Sequence, residues 1–522
     1  MGGSVVTWHS FTFPTGVTSG FIESVSGAAR IAPGGRPPRS APPWPTLPSH
    51  RLEAFVPTTT SQPVVPAVRD GGRHPVAALA ACVVGFFVIT LDATVVNVAL
   101  PTIRDELGGG MSGLQWVVDG YTLMFAALLL SAGALSDRIG ARRAYGIGVA
   151  VFVGASAACG LAPGLGVLVA ARFVQGAGAA VVMPTTLALI REAYDDPGRR
   201  GRAVAVWAMG GAAAAMAGPL VGGVLTGLSW RLIFFINVPV GVAALMLLAR
   251  IRPSPHRRVP FDWAGQVAAV AAMGGLTYGV IEAGADGFTA RRVIVALAVA
   301  AIGLAGFLVI EARSAHPMVP LEMFRNRTMV IAATVGFTFM IGFYGVPFLF
   351  SLYFQQLRGL SSMATGVAFL PMMACSALLT PASTRFARWV GLRTSITGGL
   401  SLMATGMIVL AVLPATAPVW AVSALMIPVG LGGPLIMPPL AAHLLDHVPA
   451  HRAGVASGIL NTARQIGGAL AVAVFGALLA DHAGFLRGLR TSLIITVVVL
   501  LAATAATPLL TGPFTARRTR AR

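Results

Sequence analysis

Two oppositely charged residues lie deep inside long apolar runs and are the strongest candidates for chemistry in this sequence. Asp92 lies nine residues before the end of the first run, and Arg172 lies in a run that begins near residue 164. At 1.5 Å per helical residue they would lie about 14 Å and about 9–12 Å below the same surface. A carboxylate at that depth in lipid costs at least ~2.5–3.5 kcal/mol, and such acids commonly mark proton paths. The pair could therefore bind and release a proton, and a permanent structural ion pair is the alternative.

Further polar and aromatic residues in the apolar runs extend the candidate set. Asp119 lies about five residues into the second run, where a proton-coupling role beside the buried arginine and an interfacial role are equally compatible. Arg464 and Gln465 would lie about 15 Å into the thirteenth run, where they could couple helices, line a substrate path or form a satisfied core pair. Phe343 and Tyr344 belong to an aromatic stretch that could line a pocket for flat apolar ligands, although such rings more often pack or face lipid.

The composition of the chain excludes a soluble enzyme. Of 522 residues, 56% are hydrophobic and only 11% are charged, whereas a soluble protein is about 25% charged. The net charge of +19 comes from arginine alone, and the absence of lysine excludes a P-loop and a Schiff-base lysine. The three cysteines are far apart and support neither a zinc site nor a disulfide framework. We therefore expect no metal site and no cofactor.

Fourteen apolar runs of about 20 residues begin near Pro75, and each is long enough for an α-helix to cross a membrane. The sequence thus predicts an all-α integral membrane protein with fourteen transmembrane helices. With the N-terminus inside, the inner loops hold eighteen arginines and the outer loops seven, which follows the positive-inside rule. We therefore expect a multi-pass protein with both termini in the cytoplasm. Arginine-only basic usage with abundant alanine and glycine suggests a GC-rich bacterial genome, and hence the bacterial cytoplasmic membrane.

A short loop between the second and third runs carries one acid and three arginines between glycines, GALSDRIGARR at 133–143. This loop resembles the signature loop of the major facilitator superfamily, in which the aspartate helps to lock one end of a transporter shut. The resemblance implies a conformational gate formed by Gly133, Asp137, Arg138, Gly140, Arg142 and Arg143. A degenerate second copy at 385–393 carries Arg388 where the acid would be.

Four other runs resemble the fourteen-spanner drug:proton antiporter branch of the same superfamily. They are LDATVVNVALP at 91–101, QWVVDGY at 115–121, WRLIFFINVPVG at 230–241 and NTARQIGG at 461–468. LVAARFVQGAG at 168–178 is similar to the fourth-helix motif of the family, whose arginine is implicated in proton coupling. The resemblance extends from about residue 75 to about residue 510. It places Asn97, Arg464 and Gln465 in the substrate path.

GPLVGG at 218–223 resembles the antiporter motif that separates exporters from importers in this superfamily. The motif residues are Gly218, Pro219, Gly222 and Gly223, and Ala214 stands where the motif has an upstream glycine. Small residues at this spacing let two helix backbones approach closely, and proline permits a kink. Simple helix packing is therefore a second interpretation, and it is compatible with the first.

The resemblance implies a major facilitator fold of two six-helix bundles with two helices inserted between them. The expected domains are a disordered tail at 1–74, bundles at 75–250 and 328–511, inserted helices at 251–327, and a basic cytoplasmic tail at 512–522. The first 74 residues are rich in proline, glycine and serine, and a misassigned start codon is an alternative explanation for them.

These features together predict a proton-coupled exporter of hydrophobic or amphipathic drugs that works by alternating access and is driven by the proton gradient. The expected partners are protons, the lipid bilayer and a hydrophobic small molecule, with no nucleic acid, and the protein is expected to be a monomer. A facilitative or symport transporter of a narrow endogenous metabolite is the alternative. An enzyme or sensor would need a catalytic domain or a clustered site that the sequence lacks.

Overall fold

The computed structural model describes residues 75–255, 262–314, 316–449, 452–480 and 484–511, and every regular element in these ranges is helical. The predicted tails at 1–74 and 512–522 lie outside the described residues. Fourteen of the described helices are long and apolar enough to cross a membrane, which confirms the predicted number. They are α1 (Pro75–Leu107), α2 (Gly110–Ile139), α3 (Ala141–Gly160), α4 (Leu165–Ala193), α5 (Pro197–Leu228), α6 (Leu232–Ala249), α7 (Trp263–Asp286), α8 (Arg291–Arg313), α9 (Arg327–Leu357), α10 (Ser362–Val390), α11 (Leu392–Val412), α12 (Val419–Asp446), α13 (Ala453–Leu479) and α14 (Phe485–Thr507).

The helices form two halves with the same packing order. In the first half α1 packs on α5, and α4 packs on both α2 and α3. In the second half α9 packs on α13, and α12 packs on both α10 and α11. Each of these pairs is repeated eight helices later, so the chain contains a structural repeat of six helices. The domain boundaries drawn from the sequence stay a prediction.

The two halves meet along two seams that the repeat relates to each other. One seam joins α5 to α10, and the other joins α2 to α13. The inserted helix α7 packs on α2 and α13, across the second seam, and α8 packs on α7. Gln266 of α7 donates to the Ala127 carbonyl of α2 at 2.9 Å. The inserted pair therefore covers the α2–α13 seam from one side.

The loop at Gly140 and its degenerate copy at Gly391 have the same backbone conformation. Gly140, between α2 and α3, has φ +87° and ψ 137°, and Gly391, between α10 and α11, has φ +91° and ψ 143°. A positive φ strains residues that carry a Cβ, so glycine is required at both turns. The second copy therefore keeps the turn even though Arg388 stands in place of the acid.

Candidate functional site

The predicted ion pair between Asp92 and Arg172 forms the centre of the site. Arg172 Nη1 on α4 donates to Asp92 Oδ2 on α1 at 2.6 Å, and the two side chains are 1% and 0% exposed. The other oxygen of Asp92 accepts hydrogen bonds from Gln175 Nε2 at 2.9 Å and from Asn237 Nδ2 at 2.8 Å. The carboxylate therefore binds one cation and two amide donors, and these link α1 to α4 and α6.

Arg172 is fixed by further contacts on α2. Its Nε donates to the Val117 carbonyl at 2.9 Å, and its guanidinium carbon lies 4.4 Å from the centre of the Tyr121 ring. Its Nη1 also donates to Gln175 Oε1 at 2.8 Å. A Cβ on Gly176 would collide with the Tyr121 carbonyl, so glycine is needed for α4 to come this close to α2. The close approach keeps the guanidinium enclosed on all sides.

Three residues of this network received no role from the sequence. Gln175 and Asn237 bind the carboxylate, and Ser156 on α3 accepts a hydrogen bond from each of them, at 3.1 and 2.9 Å. All three are fully buried. Gln175 follows Arg172 by three residues, which places both on one face of α4. This spacing could have identified Gln175 from the sequence. Both Gln175 and Asn237 also lie in stretches that resemble motifs of the family, which is a second indication.

Asp119 lies outside this network. Its side chain is fully buried, and within the described residues neither carboxylate oxygen has a hydrogen-bond partner. It follows Gln115 by one helical turn and so lies on the same face of α2, whereas Gln115 donates to the Val472 and Ala473 carbonyls of α13. The structure therefore places Asp119 on the face of α2 that meets the second half, and does not join it to Arg172.

A small, partly enclosed cavity lies between the halves. Its wall on the first half is formed by α1 and α5, including Asn97 and Pro219, and its wall on the second half includes Phe343 and Tyr344 of α9. The remaining lining residues are Ala93, Thr94, Val98, Pro347, Phe369 and Met373. The structure thus brings together three residues that the sequence assigned to the substrate path. Asp92 itself does not line the cavity.

Arg464 and Gln465 lie on α13, behind the α9 wall of the cavity. Arg464 Nη1 donates to Asn461 Oδ1 at 2.9 Å, and a Cβ on Gly336 of α9 would lie 3.1 Å from Arg464 Cγ. Gly468, one turn further along α13, faces the Tyr344 side chain. Gln465 is 9% exposed. The two residues are therefore close to the cavity but outside its lining.

The predicted gate loop is tied to its own half of the protein. The backbone N–H of Arg142 donates to Ser254 Oγ at 3.0 Å, and its side-chain Nε donates to the Leu248 carbonyl at 3.3 Å. Asp137 and Arg138 are exposed, and the structure records no ion pair for either among the described residues. The remaining gate residues are Gly133, which has open space beside it, Gly140, which forms the turn, and Arg143, which is exposed.

The antiporter-like motif lies where α1, α5 and α10 meet. A Cβ on Gly218 would collide with the Thr94 side chain, and one on Gly222 would lie 2.8 Å from the Val95 carbonyl, both on α1. A Cβ on Gly223 would lie 2.7 Å from the Ser362 carbonyl of α10. Pro219 faces α10 as well, because a Cβ on Gly366 would collide with its carbonyl. The small residues therefore let α5 touch both halves at once.

Polar contacts close one end of the space between the halves. Gln355 Nε2 on α9 donates to the Val98 carbonyl of α1 at 2.9 Å, and Ser351 donates to the Asn97 carbonyl. Gln355 belongs to a π-helical turn, Tyr353–Leu357, of the kind that often occurs at functional sites. With the Gln115 bonds to α13, these contacts form what we call the closed end, which is the end predicted to be extracellular.

Fourteen apolar helices in two repeated halves, with a buried ion pair in one half and a cavity between them, define an integral multi-pass membrane protein of transporter architecture. Residues 82–472 match the Major Facilitator Superfamily model, so the chain belongs to the Major Facilitator Superfamily. Membership in this transporter family agrees with the prediction that the protein is not an enzyme.

Two characterised bacterial proteins illustrate the similarity. The chain is 38% identical to multidrug resistance protein Stp of Mycobacterium tuberculosis, over 78% of this chain and 76% of that protein. It is 34% identical to the tetracenomycin C resistance and export protein of Streptomyces glaucescens, over 80% and 78% of the two chains. A crystal structure of the peptide transporter POT with sulfate superposes with a TM-score of 0.61 at 16% identity, over 84% and 96% of the two chains. The last similarity concerns the fold alone.

Proposed function

We propose that this protein is a proton-coupled secondary active exporter of hydrophobic or amphipathic drugs. It works as a monomer in the lipid bilayer by alternating access, with protons and a small molecule as its partners, no nucleic acid, and the proton gradient as its energy source. Relatives whose names describe multidrug resistance and tetracenomycin C export support the export of drugs. The observation that supports proton coupling is the Asp92–Arg172 ion pair, whose side chains are buried away from solvent.

Protonation of Asp92 would neutralise the carboxylate and weaken its bond to Arg172. Gln175 and Asn237 would then donate to a neutral carboxyl oxygen instead of a charged one, so the bonds that hold α1 to α4 and α6 would weaken together. Arg172 would keep the Val117 carbonyl and the face of Tyr121. A proton therefore weakens the attachment of α1 to α4 and α6.

A movement of α1 reaches the cavity and the closed end directly. Thr94, two residues from Asp92, contacts Gly218 and lines the cavity, and the Asn97 and Val98 carbonyls accept the bonds from α9. Displacing α1 would therefore loosen the closed end and change the cavity wall together. Exposed Asp137 and Arg138 at the opposite end fit a state in which that end is unlocked.

Coupling requires that proton and drug each bind the two orientations with different affinity. The position of α1 supports such coupling, because this helix carries Asp92 and also lines the cavity. The proton and the drug would therefore bind at separate sites and act on the same helix. Protonation would favour one orientation and drug binding the other. The same helix would then carry both signals.

The test uses purified protein in proteoliposomes with an imposed pH gradient and a panel of cationic, neutral and anionic dyes. We expect uphill dye transport that a protonophore abolishes. Asp92→Asn should lose uphill transport and keep downhill dye movement, whereas the exposed Asp105→Asn should behave as wild type. Transport that survives collapse of the gradient would refute proton antiport and favour a facilitative transporter, and uptake in the direction of the proton flow would favour symport.

A further inference from the structure

Arg464 is the feature of the cavity region that the proposed cycle does not use. Its Nε is buried and has no hydrogen-bond partner in the described part of the chain, and the one hydrogen bond recorded for its guanidinium is to Asn461. No ion pair to Arg464 occurs among the described residues. Arg172, by contrast, has a carboxylate at 2.6 Å. In the described part of the structure, the buried arginine of the first half is therefore neutralised by a carboxylate, and Arg464 of the second half is not.

An unpaired guanidinium inside a membrane protein is costly, and such residues usually pair or face a water-filled space. The buried acids Asp92 and Asp119 do not serve it, because Asp92 is bound to Arg172 and Asp119 has no hydrogen-bond partner among the described residues. An acidic group from outside the chain would supply the missing charge. Asn461 holds the guanidinium in place without neutralising it.

The position of Arg464 connects it to the cavity. Arg464 and Gly468 are one turn apart on the same face of α13, and Gly468 faces the Tyr344 ring that lines the cavity. The Tyr344 side chain therefore lies between the cavity and the face of α13 that carries Arg464.

The other cavity walls select the rest of the ligand. Phe343, Phe369, Met373 and Pro347 offer apolar surface, and Asn97 is a polar side chain on the opposite wall. Aromatic rings of this kind bind flat apolar groups. These walls thus suit the apolar body of a ligand, with its acidic oxygen group directed towards α13.

We propose that Arg464 binds the anionic oxygen group of the exported molecule, so that the substrates are flat apolar molecules that carry one carboxylate or a comparable acidic group. This assignment rests on the proposed export function and names its substrate class. An ionised partner makes a stronger hydrogen bond to arginine than a neutral one, so the acid should be preferred over the matching alcohol.

The experiment compares three probes with one aromatic body: 2-naphthoate, 2-naphthalenemethanol and 2-naphthylmethylamine. Affinity is measured on purified full-length protein in detergent at neutral pH, without a gradient. Wild type should bind the acid roughly tenfold or more tightly than the alcohol, and the amine most weakly. Arg464→Gln should remove the preference for the acid and leave the affinity for the alcohol unchanged. Arg464→Lys should keep part of the preference, because it keeps the charge but not the planar fork.

The control is Arg313→Gln, which makes the same change at an exposed residue at the end of α8 and should leave all three affinities unchanged. Thermal unfolding of each variant verifies that it is folded, and Arg464→Lys keeps the test valid if Arg464→Gln does not fold. Equal affinity of wild type for acid and alcohol, or no binding of the acid, would overturn the assignment. A uniform loss of all three affinities in Arg464→Gln would assign Arg464 to helix packing instead. Because binding needs no gradient, these results are independent of whether the transport is proton-coupled.

Discussion

Replacing Asp92 with asparagine removes the only carboxylate bound to Arg172 in the described structure and leaves a guanidinium that is 1% exposed without a counter-charge. Asparagine has nearly the same shape, so the packing of α1 against α4 and α6 is kept. The change therefore isolates the charge of the pair from its volume.

Removing one partner of a buried ion pair costs about 3–5 kcal/mol, because the remaining charge stays buried. We expect the lower end, about 3 kcal/mol, since Arg172 keeps the Val117 carbonyl at 2.9 Å and lies 4.4 Å from the centre of the Tyr121 ring. Gln175 and Asn237 already donate to one oxygen of Asp92, and in the variant that oxygen would be a neutral amide oxygen, while the new amide NH2 group would face Arg172 Nη1. The loss therefore falls on all helices that meet at this point.

A double-mutant cycle separates the charge from the other contacts. Asp92→Asn combined with Arg172→Gln removes both charges, and we expect it to be more stable than Asp92→Asn alone by about 2 kcal/mol. The free energy of unfolding is measured in mixed micelles with increasing denaturing detergent, and gradient-driven transport is measured on the same four proteins. Asp92→Asn and the double variant should both lose proton coupling, although the double variant recovers part of the free energy of unfolding.

Two results would refute this reasoning. Asp92→Asn as stable as wild type would mean that the buried pair contributes no net charge stabilisation. Full gradient-driven transport by either variant would mean that the proton is carried elsewhere, and Asp119, which is buried without a hydrogen-bond partner in the described structure, would be the next residue to test.

Three further predictions concern close contacts and seams. Gly222→Leu should abolish folding or transport, because its side chain would overlap α1, whereas Gly227→Leu on the same helix meets open space and should fold normally, as thermal unfolding will show. Gln115→Leu removes two hydrogen bonds across the α2–α13 seam, worth about 1 kcal/mol each. Spin labels attached to α2 and α13 at the closed end should then lie further apart than in wild type, and an unchanged distance distribution would contradict this. Gly140→Ala forces a Cβ at φ +87° and should cost about 1–3 kcal/mol of unfolding free energy, and Gly154→Ala, in open space, is its matched control.

The Asp92–Arg172 pair was predictable because depth in a membrane follows from counting residues along a helix. Two residues at similar depth and of opposite charge gave a specific expectation, and the structure joins them. The same counting left two roles open for Asp119, which has a suitable depth but lies on the face of α2 turned towards α13 and is not bonded to Arg172. Rotation about the helix axis depends on neighbouring helices, and the sequence alone does not provide it.

Gln175, Asn237 and Ser156 were missed for a related reason. Each is a small or uncharged polar residue that can satisfy itself locally in a helix, so its presence in an apolar run carries little cost and therefore little signal. Only the meeting of α3, α4 and α6 shows that their polar atoms converge on one carboxylate.

The sequence by itself determined that this is a multi-pass helical membrane protein with charges at particular depths, because hydropathy, helix length and residue counting are properties of short stretches of chain. The tertiary structure decided which helices meet along the two seams, which polar atoms surround Asp92, and that Arg464, unlike Arg172, has no ion-pair partner within the described ranges. These outcomes depend on how each helix is rotated and which small residues let its neighbours approach, as Gly176 and Gly222 do here. Such contacts join residues that are far apart in the chain, so packing alone decides them.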